Sequence, residues 1–373
     1  MRIGFDAKRA FYNRSGLGNY SRDLILSLLQ HYPDNEYFLY TPSLKNCISF
    51  LPDNKVTIGL PPGNPGKLQQ SFWRSFRLAE QTLKDKIEIY HGLSNEIPRK
   101  IGQKGTKSVV TIHDLIFIRY PQWYNPVDVA IYKRKFRYSC QHANRIIAVS
   151  DQTKSDLVSI FSVDEKKIRV IHQGCNEVFK KTLNDTEKQA VRKRWDLPGE
   201  YLLYVGTIED RKNLLTLIQA LQKSAIALPL VVVGKQTKYY DRVREYITRH
   251  HINNVIFLKE VPVTDLPGIY QMAKVFIYPS IFEGFGIPIL EALYSKVPVV
   301  TSTGGCFSEA GGPFSQYVDP KNTEELGEAV RRILEDSELQ QQMKNEGYRH
   351  ALKFSGENVA QQVMKLYNDL LNE

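Results

Sequence analysis

The amino-acid sequence predicts an α/β protein built from two doubly wound parallel-sheet domains facing a central cleft. Three observations carry that expectation. The chain has 373 residues, too many for one ordinary domain and suited to two of roughly 150 to 200 residues each. Short β-branched runs alternate with helix-length amphipathic segments from one end to the other, as βα repeats require. The alternation breaks at residues 174–181 and then restarts. These features divide the chain into a first domain at 1–175 and a second at 176–354, with a C-terminal helix at 355–373 packing back on the first.

The first series of strands is expected at residues 3–5, 38–40, 56–58, 89–91, 109–112, 146–149 and 170–171. The second is expected at 202–205, 230–233, 255–258, 275–278 and 297–300, with helices between them. A hydrophobic fraction of 42% and a charged fraction of 24% are ordinary for a globular protein and exclude disorder, collagen and a disulfide scaffold. The longest apolar runs are strand-sized, far short of the ~18 residues of a spanning helix. The N-terminus mixes Asp6 with Arg2, Lys8 and Arg9 and offers no signal peptide, so a cytoplasmic location is expected. Cys47, Cys140, Cys175 and Cys306 lie far apart without CxxC spacing, which points to reduced thiols rather than zinc or disulfides.

The net charge of +10 is unevenly shared. Residues 1–175 hold 26 Lys and Arg against 15 Asp and Glu, and the remainder is close to neutral. Such a block suits an acidic partner surface, whether nucleic acid, anionic lipid or a phosphorylated substrate; a solvated basic face is the competing reading. Within it, residues 72–77 and 132–138 interleave aromatics with cations on expected helices. Either the aromatics face the core, or part of this surface rests on the inner face of a membrane.

In a doubly wound sheet, ligands bind outside the carboxyl ends of the strands, so chemistry is sought there. Ser15-Gly16-Leu17-Gly18 lies between the first strand and a helix ending near Gln30. Its G-x-G spacing, with Glu36 following, invites a dinucleotide-binding reading. That reading fails, because the glycines stand too far from the strand and Ser21 occupies the third glycine position. What remains is a flexible glycine loop at a helix N-terminus, where backbone N–H groups could approach an anion or a sugar. His113 and Asp114 stand at the exit of a buried strand, a position for a functional group or for a hydrogen-bonded structural histidine.

The second domain carries the denser cluster. Strand 202–205 runs into Gly206, then Arg211-Lys212-Asn213, then an apolar helix. Two adjacent cations off a strand end and before a helix suit a phosphate. Strand 275–278 is followed by Glu283-Gly284-Phe285-Gly286-Ile287-Pro288, with Pro288 suited to open a helix. The glycine loop would lie against exposed helix N–H groups and the positive end of the dipole. Glu291, expected in the first turn, could chelate a vicinal diol, and Glu283 could meet sugar hydroxyls.

The E-x7-E pair, the Arg211-Lys212 turn, the Gly16/Gly18 segment, His113-Asp114-Leu115, Ala148-Val149-Ser150 with Thr153-Lys154, and Glu309 before Val318-Asp319-Pro320 resemble, over essentially the whole chain, the retaining glycosyltransferases of family 4, which have the GT-B fold. The run 112–121 looks most like the mannosyltransferases that extend bacterial O-polysaccharides. The resemblance implies two Rossmann-like domains, the first binding the acceptor and the second a nucleotide sugar. By position, Arg211 and Lys212 would hold the diphosphate, Glu291 the ribose and Glu283 the donor sugar, with Gly16 near the diphosphate and His113 near the reacting centre. The donor site would draw also on Gly18, Gly206, Gly284, Phe285, Gly286 and Ile287. Thr207 and Ser308 depart from the family pattern, which has arginine and proline there; fewer phosphate contacts and a differently placed 303–312 loop are implied.

The expected partners are a GDP- or UDP-hexose, first of all GDP-mannose, and a glycan or polyprenyl-diphosphate-linked acceptor, with peripheral membrane contact through the basic domain. No nucleic acid is expected, since no recognisable nucleic-acid motif accompanies the charge. The sequence has no D-x-D, and no metal or other cofactor is expected, the nucleotide sugar being a substrate. Two other readings compete: a nucleotide-sugar epimerase or hydrolase of the same fold, and a non-catalytic nucleic-acid-binding protein.

Overall fold

The computed structural model describes all residues except 46, 52–55, 64 and 103–104. The chain divides into two compact units, Met1–Gly174 with Phe354–Glu373, and Cys175–Lys353. The sheet of the first unit contains β1 (Arg2–Asp6), β2 (Glu36–Tyr40), β3 (Thr57–Gly59), β4 (Ile89–Gly92), β5 (Lys107–Ile112), β6 (Arg145–Ala148) and β7 (Ile168–Val170). Its order is β3-β2-β1-β4-β5-β6-β7, with every pair parallel. The second sheet contains β8 (Leu202–Val205), β9 (Leu230–Val233), β10 (Val255–Leu258), β11 (Val275–Tyr278), β12 (Val299–Ser302) and β13 (Gln316–Val318). Its order is β10-β9-β8-β11-β12-β13, again all parallel. Both sheets are doubly wound, as the alternation predicts.

Strands in such sheets are covered on both faces, so alternate residues feed two apolar layers. In β2, Leu39 enters the layer that holds Ile3, Phe5, Ile89 and Ile147, while Phe38 and Tyr40 enter the layer that holds Tyr90, Val110 and Ile146. The C-terminal helix Gly356–Leu371, capped by Ser355, completes the first layer. Its Val359, Ala360, Val363, Met364, Tyr367 and Leu370 recur at helical spacing and pack with Leu24, Ile25 and Leu28 of helix Gly16–His31.

The strands β1 to β6 differ from their expected bounds by one or two residues at one end or both, and three further elements differ as follows. β12 begins at Val299 rather than Val297, because Pro298 has no N–H for the ladder and the Val297 N–H closes the preceding helix on Ala292 O at 3.0 Å. β13 has no β-branched run to announce it; three residues, Gln-Tyr-Val, pair along the edge of β12. β7 starts at Ile168, directly after two lysines. All four cysteines are free, with Cys140, Cys175 and Cys306 buried and Cys47 half-buried. No described helix is long and apolar enough to cross a membrane.

Each sheet changes winding direction between two hydrogen-bonded neighbours, β1 and β4 in one and β8 and β11 in the other. Loops leaving the carboxyl ends of such a pair diverge and leave space between them for a ligand. The segments after β8 and β11 are the Arg211-Lys212 turn and the Glu283 loop.

Candidate functional site

β8 is followed by Gly206, whose N–H donates to Val233 O at 2.9 Å. A Cβ on Gly234 would stand 1.9 Å from Gly206 O, so the two strand exits press backbone on backbone. The chain then makes one 3-10 turn, Asp210–Lys212, and passes through Asn213 at φ +60° before helix Leu214–Lys223. Asparagine tolerates this left-handed conformation better than most residues. Its amide donates to Pro320 O, and its Oδ1 accepts from Thr216, both at 2.6 Å. Arg211 and Lys212 therefore project from a pinned turn.

Beyond β11, Gly286 has φ +117°, a conformation for glycine, and serves as N-cap of helix Ile287–Tyr294. The helix starts at Ile287, so Pro288 is its second residue and Glu291 its fifth. Glu291 therefore lies in the second turn rather than the first, as the left-handed cap at Gly286 sets the start one residue early. Its Oε2 accepts from the Tyr270 hydroxyl at 2.8 Å. Phe285 is buried and offers a ligand only its backbone, whereas Gly284 and Ile287 are partly exposed. The buried Cys306 Sγ lies 3.3 and 3.0 Å from the carbonyls of Glu283 and Phe285, and its one S–H donates between them, fastening the loop from behind. The 303–312 segment is not all loop: after positive φ at Gly304 and Gly305 it winds into the short helix Phe307–Gly311.

These two loops bring Arg211, Lys212 and Glu283 into one cluster. Glu283 Oε1 accepts from Lys212 Nζ at 2.6 Å, Ser280 Oγ at 2.5 Å and Tyr278 OH at 3.0 Å. Glu283 Oε2 lies 2.6 Å from Arg211 Nη1, which also donates to Phe282 O at 2.8 Å. Arg211 Nη2 reaches Glu209 Oε1 at 2.8 Å, and Lys212 Nζ donates in addition to the Tyr278 hydroxyl. Burial alone would raise the Glu283 carboxyl, but Arg211 and Lys212 outweigh it and hold the group at about 2. Burial pushes Lys212 down from its ordinary value, and Glu283 opposes the shift. Arg211 moves up, because Glu283 and Glu209 overcome its burial. Burial, then Glu283, pushes the Tyr278 phenol far up, so it stays a donor.

The two cations and two carboxylates sum to zero charge, so the turn is not the bare cationic patch its sequence suggests. Donor capacity nevertheless remains. An ammonium has three N–H groups and Lys212 spends two; a carboxylate has about four acceptor positions, and Oε2 of Glu283 meets one donor. Tyr278, Ser280, Tyr270 and Cys306 escape sequence reasoning. Tyr278 and Ser280 stand at a strand exit, where a functional neighbour could be sought; nothing local marks Tyr270 or Cys306.

The first unit holds His113, Gly16 and Gly18. Gly16 and Gly18 are not in a loop: they are the first and third residues of helix Gly16–His31, and helix Lys8–Tyr12 fills the gap after β1. A Cβ at Gly16 would meet nothing within 4 Å, whereas one at Gly18 would stand 1.8 Å from Asn13 O. Gly18 therefore serves close backbone packing. His113 is buried just beyond β5. Its Nε2 lies 2.9 Å from Leu93 O, which can only accept, so Nε2 carries the proton. Nδ1 then accepts from the Gln173 amide at 2.7 Å, and proton transfer at Nδ1 would require that amide to leave. The Tyr20 ring meets the His113 ring edge-on at 4.7 Å. Behind it, His91 Nε2 and the Tyr20 hydroxyl both bond Thr111 Oγ1, at 2.8 and 3.0 Å, and His91 Nδ1 bonds Tyr367 of the C-terminal helix at 2.6 Å.

Burial lowers His113 to about 4 and His91 to about 3. The unfolded chain binds these protons near pH 6.5 and the folded chain does not until about pH 4, so this stability is complete above about pH 7 and fades as pH falls. The two sites together should make unfolding at pH 5 easier than at pH 7 by about 3 to 4 kcal/mol. Urea midpoints at the two pH values measure this, with His91→Gln expected to remove roughly half of the drop. An equal midpoint at both would contradict the neutral pair.

Two family descriptions match the chain: Glycosyltransferase Family 4 over residues 14–178 and Glycosyl transferases group 1 over residues 185–350. The chain is a glycosyltransferase. Its similarity to the O-antigen chain mannosyltransferase B of Escherichia coli is 28% identity, over 98% of this chain and 99% of that one. Among solved structures, the glycosyltransferase resembles the sucrose-phosphate synthase of Thermosynechococcus elongatus with a TM-score of 0.80 at 20% identity, over 100% of this chain and 99% of that one. It resembles Anabaena HepE, in complex with UDP-glucose, with a TM-score of 0.76 at 17% identity, over 99% and 100% of the two chains. The fold is GT-B, as the motifs imply.

Proposed function

We propose that this glycosyltransferase moves a hexose, with retention and without a metal ion, from a nucleotide sugar to a hydroxyl of a glycan or polyprenyl-diphosphate-linked saccharide. Mannose from GDP-mannose is the first donor to test, because the similarity to an O-antigen chain mannosyltransferase runs over nearly the full length of both chains. The observation that carries the reading is the Arg211–Lys212–Glu283 cluster beside the start of helix Ile287–Tyr294.

As the bond from the anomeric carbon to the diphosphate breaks, its electrons pass to the bridging oxygen while the sugar ring becomes positive. Fixed donors aimed at that oxygen stabilise the separation without reorganising, usually the largest catalytic contribution. Arg211, Lys212 and the helix N–H groups supply them. Glu283 offers its remaining Oε2 lone pair to a donor-sugar hydroxyl, and Glu291, steadied by Tyr270, takes the ribose diol. Among the described residues none is assigned as a nucleophile; the acceptor hydroxyl attacks from the leaving-group face, its oxygen bonding the anomeric carbon while its proton passes to the departing diphosphate oxygen. The first domain takes the acceptor. Release of GDP or UDP across a panel of sugar nucleotides, with acceptor and EDTA present, should show one donor consumed. Activity lost in EDTA and restored by Mn²⁺, or no donor consumed at all, would contradict this.

Peripheral contact with the inner face of the membrane fits the first domain. Leu68, Phe72 and Phe76 recur every four residues and are 88, 52 and 44% exposed, with Lys67 and Arg77 exposed beside them and Arg99 stacked on Phe76. On helix Pro126–His142 the arrangement is opposite: Phe136 is buried, and Lys133, Arg134, Lys135 and Arg137 face water. Each cation near anionic lipid contributes ~1 kcal/mol, an attraction that fades within about 8 Å at physiological salt. The protein should sediment with anionic vesicles at low salt, and Phe72→Ser with Phe76→Ser should weaken this. No lipid-dependent pelleting at low salt would rule the contact out.

A further inference from the structure

We propose that Glu283 is a built-in competitor for the diphosphate, neutralising Arg211 and Lys212 so that the site prefers the intact nucleotide sugar to the nucleoside diphosphate left after transfer. This presupposes that Arg211 and Lys212 hold the diphosphate, as argued above. Both cations are already paired: Lys212 Nζ with Glu283 Oε1 and Arg211 Nη1 with Glu283 Oε2, each at 2.6 Å, with Glu209 on the other arm of Arg211. Ser280 and Tyr278 fix the carboxylate between them, and the group is 8% exposed. It is an anion that the fold holds ionised where another anion is meant to bind.

The two ligands differ in charge. A nucleotide sugar is a diphosphate diester with a charge of about −2, whereas the free diphosphate has an ionisable terminal phosphate and carries most of a third charge near neutral pH. The added charge sits where the sugar was attached, and Glu283 is the carboxylate assigned to the sugar. In the poorly solvated cluster, repulsion between that phosphate and Glu283 is stronger than at an exposed surface. The intact donor escapes it and gains a hydroxyl bond to Oε2. After transfer the bond is gone and the repulsion is present, so the product leaves. The same carboxylate both orients the donor and expels what remains of it.

The test is titration calorimetry of GDP and GDP-mannose, and of UDP and UDP-glucose, against the wild-type protein, Glu283→Gln and Arg211→Ala. Glu283→Gln should bind the free diphosphate at least tenfold more tightly, with the sugar ester gaining less or losing affinity. Unchanged or weaker diphosphate binding overturns the role. A second comparison needs no variant: the β-methyl ester of the diphosphate, with the donor's charge and no sugar, should bind the wild type at least as tightly as the free diphosphate. A tenfold preference for the free diphosphate overturns the role as well. Undiminished diphosphate affinity in Arg211→Ala is a separate outcome: it removes the underlying assignment of the cations and this role with it.

Discussion

Lys212→Ala and Arg211→Ala are each expected to turn over at least about a hundredfold more slowly, a loss of ~3 kcal/mol in transition-state stabilisation. In the proposed mechanism each removes a donor aimed at the bridging oxygen, where charge grows only as the bond breaks. Each also leaves the buried Glu283 short of a counter-ion, and one-sided removal of a buried pair typically costs about 3 to 5 kcal/mol of stability. Adding Glu283→Gln to Lys212→Ala removes the stranded charge, so the double variant should be more stable than Lys212→Ala alone while remaining slow. Measuring kcat and urea midpoints for the single and double variants separates the catalytic loss from the structural one. Near-normal kcat in both single variants would contradict the assignment.

Gly18→Ala is expected to destabilise the first unit by about 3 kcal/mol or more, whereas Gly16→Ala should stay within about 0.5 kcal/mol of the parent. The Cβ at position 18 would stand 1.8 Å from Asn13 O, and the segment carrying that carbonyl cannot easily yield. Arg22 Nη1 donates to Asn13 O and Ala10 O, both at 2.8 Å, and Asn13 N–H donates to Arg9 O at 2.9 Å. Position 16 faces open space, so only there does the glycine remain available for a ligand's close approach. Urea midpoints of the two variants decide the point. A stable Gly18→Ala protein would mean that the contact between helix Gly16–His31 and the preceding turn is looser than described.

Strand positions are legible in the sequence where β-branched runs alternate with helices, and this locates β8 to β11 to the residue. β13 is not legible, since an edge strand of three residues needs only its backbone. The residues of the Arg211–Lys212–Glu283 cluster can be found by their positions at strand exits, yet their mutual neutralisation cannot. Lys212 and Glu283 stand 71 positions apart, and only the adjacency of β8 and β11 at the switch point makes them partners. His113 shows the same limit. Its place after a buried strand is visible locally, but the Gln173 amide and the Leu93 carbonyl that occupy its ring nitrogens arrive from other strand exits.

A crystal structure with the tighter-binding of GDP and UDP tests the donor site most directly. The diphosphate oxygens should lie within hydrogen-bond distance of Lys212 Nζ and the Arg211 guanidinium, beside the N–H groups that open helix Ile287–Tyr294, with the ribose hydroxyls on Glu291. A diphosphate bound elsewhere in the molecule, with the Arg211–Lys212–Glu283 cluster untouched, would contradict it.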